Sequence, residues 1–319
     1  MPLTKFGWNE RRHREFAAFR DDGLVPGRIV GEHRTHYQVA IGDLELTAET
    51  AGRLRNEALL RSDLPGVGDF VALRPSQGDG PATIEAVLPR TSALVRKASG
   101  KETPQLLAAN VDVVFIVTGL DGDFNLARVE RFLALVRDSG AMPVIVANKT
   151  DLAKDVAAAA GQISQAAPGV PFHGISARAG LGVADLERYF DGNRTIVLIG
   201  SSGAGKSTLI NRLLGRDAQA TGEVRAHDSR GRHTTTHRQL FLRPRGGAII
   251  DTPGMRGLEV WNAPGSTEGN LADVEAFALQ CKFSNCRHQS EPGCAVRAAI
   301  ERGELDAGRL ESFVKHMRA

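Results

Sequence analysis

From residue 24 to about 98 the apolar positions fall in short alternating runs, LVPGRIVGE, HYQVAIGD, VGDFVALRP and ATIEAVLPR, broken by glycine and proline. Alternation with period two marks strands that bury one face, and the breaks mark tight turns. Residues 24–98 therefore predict a small all-β barrel of the OB type. Such barrels often bind oligonucleotides, although this strand pattern fits a barrel without a ligand equally well.

Beyond residue 105 the texture changes. VDVVFIVTGL (111–120) and PVIVANK (143–149) are continuous apolar runs, as expected of strands covered on both faces of a parallel sheet. Between them Val129, Phe132, Leu133 and Val136 recur at helical spacing, with Asn125 placed to cap the helix and Gly140 to end it. An alanine-rich helix (152–167), a strand FHGISA, a helix LGVADLERYF and a strand TIVLIG follow. After a glycine loop come a helix STLINRLLG, a polar tract over 216–238, and the strands QLFLRP and GAIID. Strands alternating with helices predict an α/β sheet over 105–258. Residues 259–319 read as a helical, cysteine-bearing domain, closing with Leu310, Phe313, Val314 and Met317 on one helical face.

Candidate chemistry sharpens this outline. Gly200, Ser201, Ser202, Gly203, Ala204, Gly205, Lys206 and Ser207 match the phosphate-loop pattern G-x-x-x-x-G-K-[ST], with a strand before it and a helix, opening through Thr208, after it. The backbone N–H groups of such a loop cradle a β-phosphate at a helix N-terminus. Lys206 is expected to span the β- and γ-phosphates and Ser207 to supply a Mg²⁺ ligand. Asn148, Lys149, Thr150 and Asp151 form NKTD at the end of an apolar run. The Asp151 carboxylate can accept from guanine N1–H and the 2-amino group, donors that adenine does not offer. Asn148 is expected at the other guanine edge and the Lys149 stem along the ring. Ser176 and Ala177 are expected to bring a backbone N–H to guanine O6.

Asp251, in DTPG, is placed to hold Mg²⁺ through water, and the Gly254 N–H to sense a γ-phosphate. One of Thr234, Thr235 and Thr236, with Thr235 central, is expected to close on Mg²⁺ and the γ-phosphate. That makes the polar tract a nucleotide-ordered switch. Position 255 is Met, where well-known GTPases carry a water-orienting glutamine. Slow intrinsic hydrolysis is the expectation, with His233 the first candidate to orient water and His237 the second. Finally, Cys281-x4-Cys286-x-His288-x5-Cys294 offers a Cys₃His set within a short span, the closed donor set of a structural zinc.

Composition limits the classes that remain. The chain has 319 residues, 42% hydrophobic and 24% charged, with a formal net charge of +3. It has no apolar run of membrane-spanning length and no secretory leader pattern, so a cytoplasmic location is expected. Residues 1–23 carry Lys5, Arg11, Arg12, Arg14 and Arg20 beside Trp8, Phe16 and Phe19. This basic arm suits RNA, but the favoured reading is a solvated, frayed terminus.

In this order, NKTD, GSSGAGKST, GRHTTTH, DTPG and C-x4-C-x-H-x5-C, the motif set resembles the RsgA (YjeQ) family over essentially the whole chain. The base reader precedes the phosphate loop, the reverse of the ordinary GTPase order. The resemblance implies an N-terminal OB-fold, a circularly permuted GTPase domain and a C-terminal zinc finger. It also implies action late in assembly of the small ribosomal subunit, with binding to that subunit and its rRNA stimulating GTP hydrolysis. GTP/GDP with Mg²⁺ and a monomeric state are expected alongside. Movement of DTPG would then act on the zinc domain that follows it. The competing reading is a GTP-regulated signalling or metal-delivery switch with protein partners.

Overall fold

The computed structural model describes residues 3–33, 36–76, 78–97, 104–121, 124–215 and 238–251, and beyond them 277, 278, 280, 281, 286, 288, 291, 293–302 and 305. His233, Thr234, Thr235, Thr236, His237, Gly254, Met255 and the closing helical face of Leu310, Phe313, Val314 and Met317 lie outside the described residues. The chain divides into two compact units, Met1–Glu259 and Val260–Ala319.

The alternating runs of the first unit form β1 (Val25–Glu32), β2 (Tyr37–Ile41), β3 (Leu44–Thr50), β4 (Phe70–Arg74) and β5 (Ala82–Val87). β1 pairs antiparallel with β2 and β4, β2 with β3, and β4 with β5; β3 runs parallel to β5 and closes the ring. This is a closed five-stranded barrel, with Ile29, Val39, Leu73 and Ile84 sealed from solvent. Helix α2 (Gly52–Glu57) bridges β3 and β4. The next hairpin, β6 (Ala93–Lys97) and β7 (Pro104–Ala109), forms a separate two-stranded sheet.

The N-terminal segment is not the frayed arm expected of it. Thr4–Phe6 forms a 3-10 turn and Glu10–Phe16 forms helix α1, whose first turn is capped by the Asn9 side chain. Leu3, Phe6, Trp8 and Phe16 are buried. The Trp8 ring meets Phe16 and the barrel residue Phe70 edge-on, at centroid distances of 6.0 and 5.6 Å. Aromatic burial outweighs the solvation that the nearby arginines suggested.

The continuous apolar runs form a second set of strands: β8 (Val113–Gly119), β9 (Met142–Asn148), β10 (Phe172–Gly174), β11 (Thr195–Gly200), β12 (Gln239–Leu242) and β13 (Ala248–Asp251). Their order in space is β10-β9-β8-β11-β13-β12, parallel except for β12. Every residue of β8 and β11 is buried, as their unbroken apolar character requires. Helices α3 (Leu126–Ser139), α4 (Val156–Ala166) and α5 (Lys206–Leu214) connect these strands. Asn125 Oδ1 accepts from Arg128 N at 2.9 Å and Gly140 ends α3 in the left-handed conformation, as its sequence signals.

Val183–Phe190 is a 3-10 helix rather than the expected α-helix. Its buried Val183, Leu186, Tyr189 and Phe190 still line one apolar face toward the sheet core. β1 also pairs with β12, Gly31 opposite Gln239, and Arg238 Nη1 donates to Glu32 Oε2 at 2.8 Å. Barrel and parallel sheet are thereby one eleven-stranded sheet.

In the second unit, α6 (Ala295–Glu301) follows Cys294 directly. Val296, Ala299 and Leu305 form a small apolar cluster with Cys286 and Cys294.

Candidate functional site

Parallel strands carry their carboxyl ends to one edge of a sheet, where open α/β folds bind ligands. Here that edge receives NKTD from β9, Ser176 and Ala177 just beyond β10, the glycine loop from β11, and Asp251 as the last residue of β13. Motifs scattered over a hundred residues thus emerge from neighbouring strands.

Glycine is required at two points of the phosphate loop. At Gly200, φ is +147° and a Cβ would lie 2.0 Å from Val117 O. At Gly205, φ is +90° and a Cβ would lie 2.2 Å from Asn148 Nδ2. The loop therefore passes close over β8 and the base-reading motif before α5 begins at Lys206. The partial positive charge of the helix N-terminus thus lies at the loop. Lys206 folds across it, Nζ donating to Gly200 O at 2.7 Å and Ser201 O at 2.5 Å. Ser207 and Thr208, half-buried, complete this turn.

Asn148 is almost fully buried and spends both ends of its amide on protein. Nδ2 donates to Ala204 O at 2.8 Å, and Oδ1 accepts from Ala177 N at 2.9 Å. The residue expected at the guanine edge is also a brace between the phosphate loop and the loop after β10, which uses one of its two Nδ2 hydrogens. The Ala177 N–H, expected at guanine O6, is the donor that Asn148 uses. Lys149 takes a left-handed φ of 66° and its Nζ pairs with Asp121. Thr150–Leu152 makes a 3-10 turn whose Thr150 N donates to Ile175 O at 3.1 Å, and Asp151 is exposed. Ser176 is sealed from solvent, and its Oγ accepts from Ala179 N at 3.2 Å.

Two residues of this site escaped the sequence reading. Asp121 stands just past the carboxyl end of β8, a position that could have drawn attention to it. Arg212, on α5, donates to the carbonyls of Ala177 and Arg178, and no local motif signals it.

The Cys₃His set is assembled. The ligand atoms of Cys281, Cys286, His288 and Cys294 all lie within 4.8 Å of one another. Cys281 Sγ is 3.9 Å from Cys294 Sγ and 3.6 Å from His288 Nδ1, and Cys294 Sγ is 3.5 Å from the same nitrogen. Tetrahedral zinc with ordinary bond lengths separates two sulfurs by about 3.8 Å and a sulfur from a nitrogen by about 3.6 Å. The donor set therefore fits a metal ion of this size. Burial pushes the Cys281 thiol up, but N–H groups of Val296 and Ala295 and the neighbouring thiols bring it below its ordinary value. Burial raises the Cys286 thiol to about 11, with the adjacent thiols adding to the rise.

Comparison with known proteins agrees with this geometry. A family model described as RsgA GTPase matches residues 87–261. The chain is 45% identical over 299 residues to small ribosomal subunit biogenesis GTPase RsgA 2 of Lactiplantibacillus plantarum, covering 94% of this chain and 84% of that protein. It is also 45% identical to small ribosomal subunit biogenesis GTPase RsgA of Opitutus terrae, covering 100% and 89%. Among solved structures it resembles YjeQ from Thermotoga maritima, with a TM-score of 0.57 and 27% identity over 92% of this chain and 97% of that one. YloQ, described as a circularly permuted GTPase, matches with a TM-score of 0.53 and 25% identity over 92% and 94%.

Proposed function

The chain belongs to the RsgA GTPase family, and on that premise we propose that it binds the small ribosomal subunit and hydrolyses GTP to GDP and phosphate while assisting late maturation of the subunit. One observation carries the nucleotide half of this reading. Asn148 ties the phosphate loop to the loop after β10 at a single sheet edge, so base and phosphate sites are held at a fixed spacing despite the reversed order of their motifs. The names of the relatives support the ribosomal half. They favour it over a signalling or metal-delivery switch.

In this mechanism the glycine-loop N–H groups hold the β-phosphate, and Lys206 turns from the carbonyls of Gly200 and Ser201 to the β- and γ-phosphates. Asp151 selects guanine. Ser207, Asp251 and Thr235 are the residues that would hold Mg²⁺, which when bound neutralises charge on the phosphates. The Gly254 N–H senses the γ-phosphate, and His233 orients the attacking water in place of the glutamine that Met255 replaces. Cys281, Cys286, His288 and Cys294 would hold one structural zinc, a closed set with no position left for catalysis. The protein acts as a cytoplasmic monomer, with the barrel as an rRNA-binding element.

Hydrolysis measured with and without purified small subunits, over a range of salt, tests the proposal. Stimulation that falls steeply with salt is expected, because contacts to rRNA phosphates release counterions. Absence of stimulation would return the reading to a GTP switch with protein partners. In the same assay His233→Ala is expected to lose turnover at unchanged GTP affinity.

A further inference from the structure

Helix α5 and the loop after β10 are joined by one side chain. Arg212 lies near the C-terminal end of α5, and a helical side chain leans back toward the N-terminus of its helix. Its Nε donates to Ala177 O at 3.2 Å and its Nη2 to Arg178 O at 2.6 Å. The guanidinium also lies over Gly180, where a Cβ would stand 3.4 Å from Cζ and from Nη1. A planar guanidinium holds two acceptors in a fixed relation, which a flexible ammonium does not.

The consequence can be followed peptide by peptide. Ala177 N–H is spent on Asn148 Oδ1, and Ala179 N–H on Ser176 Oγ. Gly180 N and Leu181 N both donate to Ser176 O, at 2.7 and 3.1 Å, closing the turn on itself. In a trans peptide the carbonyl and the N–H point in opposite directions. With the Ala177 carbonyl held toward α5, the Arg178 N–H is turned away from that helix. Among the described residues it has no acceptor.

We propose that Arg212 is a positioning residue for guanine discrimination, fixing the Ala177–Arg178 peptide so that the Arg178 N–H faces guanine O6. The inference rests on the reading of this edge as a guanine-nucleotide site and adds to it the residue that orients its loop. Arg212 itself touches no nucleotide in this arrangement. Its effect is therefore confined to the base, and Asp151 reads the 2-amino group independently of it.

The test is equilibrium binding to the full chain of GDP, 6-thio-GDP, IDP and ADP. 6-Thio-GDP keeps every group of guanine except O6, which becomes a weaker acceptor, and IDP lacks only the 2-amino group. Wild type is expected to prefer GDP over 6-thio-GDP. Arg212→Met keeps the aliphatic stem and should weaken GDP up to about tenfold, the scale of the single hydrogen bond to O6 that it would release. It should bring the GDP to 6-thio-GDP ratio close to one while leaving the GDP to IDP ratio unchanged. Arg212→Lys should recover part of the lost ratio. Equal weakening of GDP and 6-thio-GDP by Arg212→Met would mean a merely structural contact and overturn the proposal. So would unchanged binding in that variant, or a wild type indifferent to the sulfur. A wild type that binds ADP as tightly as GDP would instead sink the GTPase reading itself, before any variant is made.

Discussion

Arg12 and Asn110 share a 2.6 Å hydrogen bond between Nη2 and Oδ1 across 98 positions of chain. Arg12 also donates to Pro89 O at 2.5 Å and Glu15 Oε2 at 2.7 Å, and it lies 4.8 Å from the centre of the Phe70 ring. Asn110 in turn donates from Nδ2 to Gly68 O at 3.1 Å, while its own carbonyl accepts from the buried Arg28. One cluster therefore binds the N-terminal helix, the barrel and the entry to β8. Arg12→Ala would leave buried acceptors unsatisfied and remove a well-packed guanidinium. It is expected to cost about 3 kcal/mol, read as a lower urea midpoint with an unchanged slope.

The same cluster makes a pH prediction through Glu15. Burial raises its carboxyl, but hydrogen bonds from Arg11 and Arg12, both at 2.7 Å, bring it below the ordinary carboxylate range. A folded pKa lower than the unfolded one gives stability that is present above the unfolded value, about 4.3, and is lost as pH falls through the folded value. Glu15→Gln should therefore be less stable than wild type near neutrality, and the gap should narrow in acid below about pH 4. Thermal unfolding of the two proteins across that range measures it. A gap that stays constant would rule out a role for the Glu15 charge.

What local pattern could show, it showed. The glycine loop, NKTD and the Cys₃His spacing each lie within fourteen consecutive positions or fewer, and the cap and stop of α3 are written in Asn125 and Gly140. The misreadings have distant causes. Arg12 looks like a solvated charge until Asn110 and Pro89 are brought to it. The join of β1 to β12 depends on Gly31 meeting Gln239, more than two hundred positions away. NKTD is legible as a guanine-loop string, but the double engagement of Asn148 needs Ala177 and Ala204 in place. The 3-10 form of Val183–Phe190 has no local signal either, since its buried Val183, Leu186, Tyr189 and Phe190 fit the spacing of an α-helix equally well.

Metal removal should act on the second unit. Its apolar cluster, among the described residues, comprises Cys286, Cys294, Val296, Ala299 and Leu305 with a few partly buried neighbours. So small a core needs a further constraint. The purified protein is expected to carry about one zinc per chain, and a thiol reagent with a chelator should release it. Release should reduce helical signal and make the second unit more sensitive to protease, while GDP binding, which the proposed function assigns to the first unit, persists. Cys286→Ser should mimic this. A protein with no zinc that is indifferent to the chelator would remove the metal from the account.

The contact between Gly205 and Asn148 can be tested as a pair. Asn148→Ala removes two buried hydrogen bonds that tie the phosphate loop to the loop after β10. It should weaken GDP binding about 10- to 100-fold. Gly205→Ala should also be severe, because its Cβ would lie 2.2 Å from Asn148 Nδ2 at a φ of +90°. Asn148 is buried and held at both ends, so it cannot yield cheaply. In the Asn148→Ala background the steric part of that cost vanishes and only the left-handed backbone cost, about 1–2 kcal/mol, remains. The double variant should consequently bind GDP more tightly than the product of the single losses predicts. A double-mutant cycle isolates that coupling. Simple additivity would mean that the wall confronting Gly205 is backbone rather than the Asn148 amide, and that the brace does not set the spacing of base and phosphate sites.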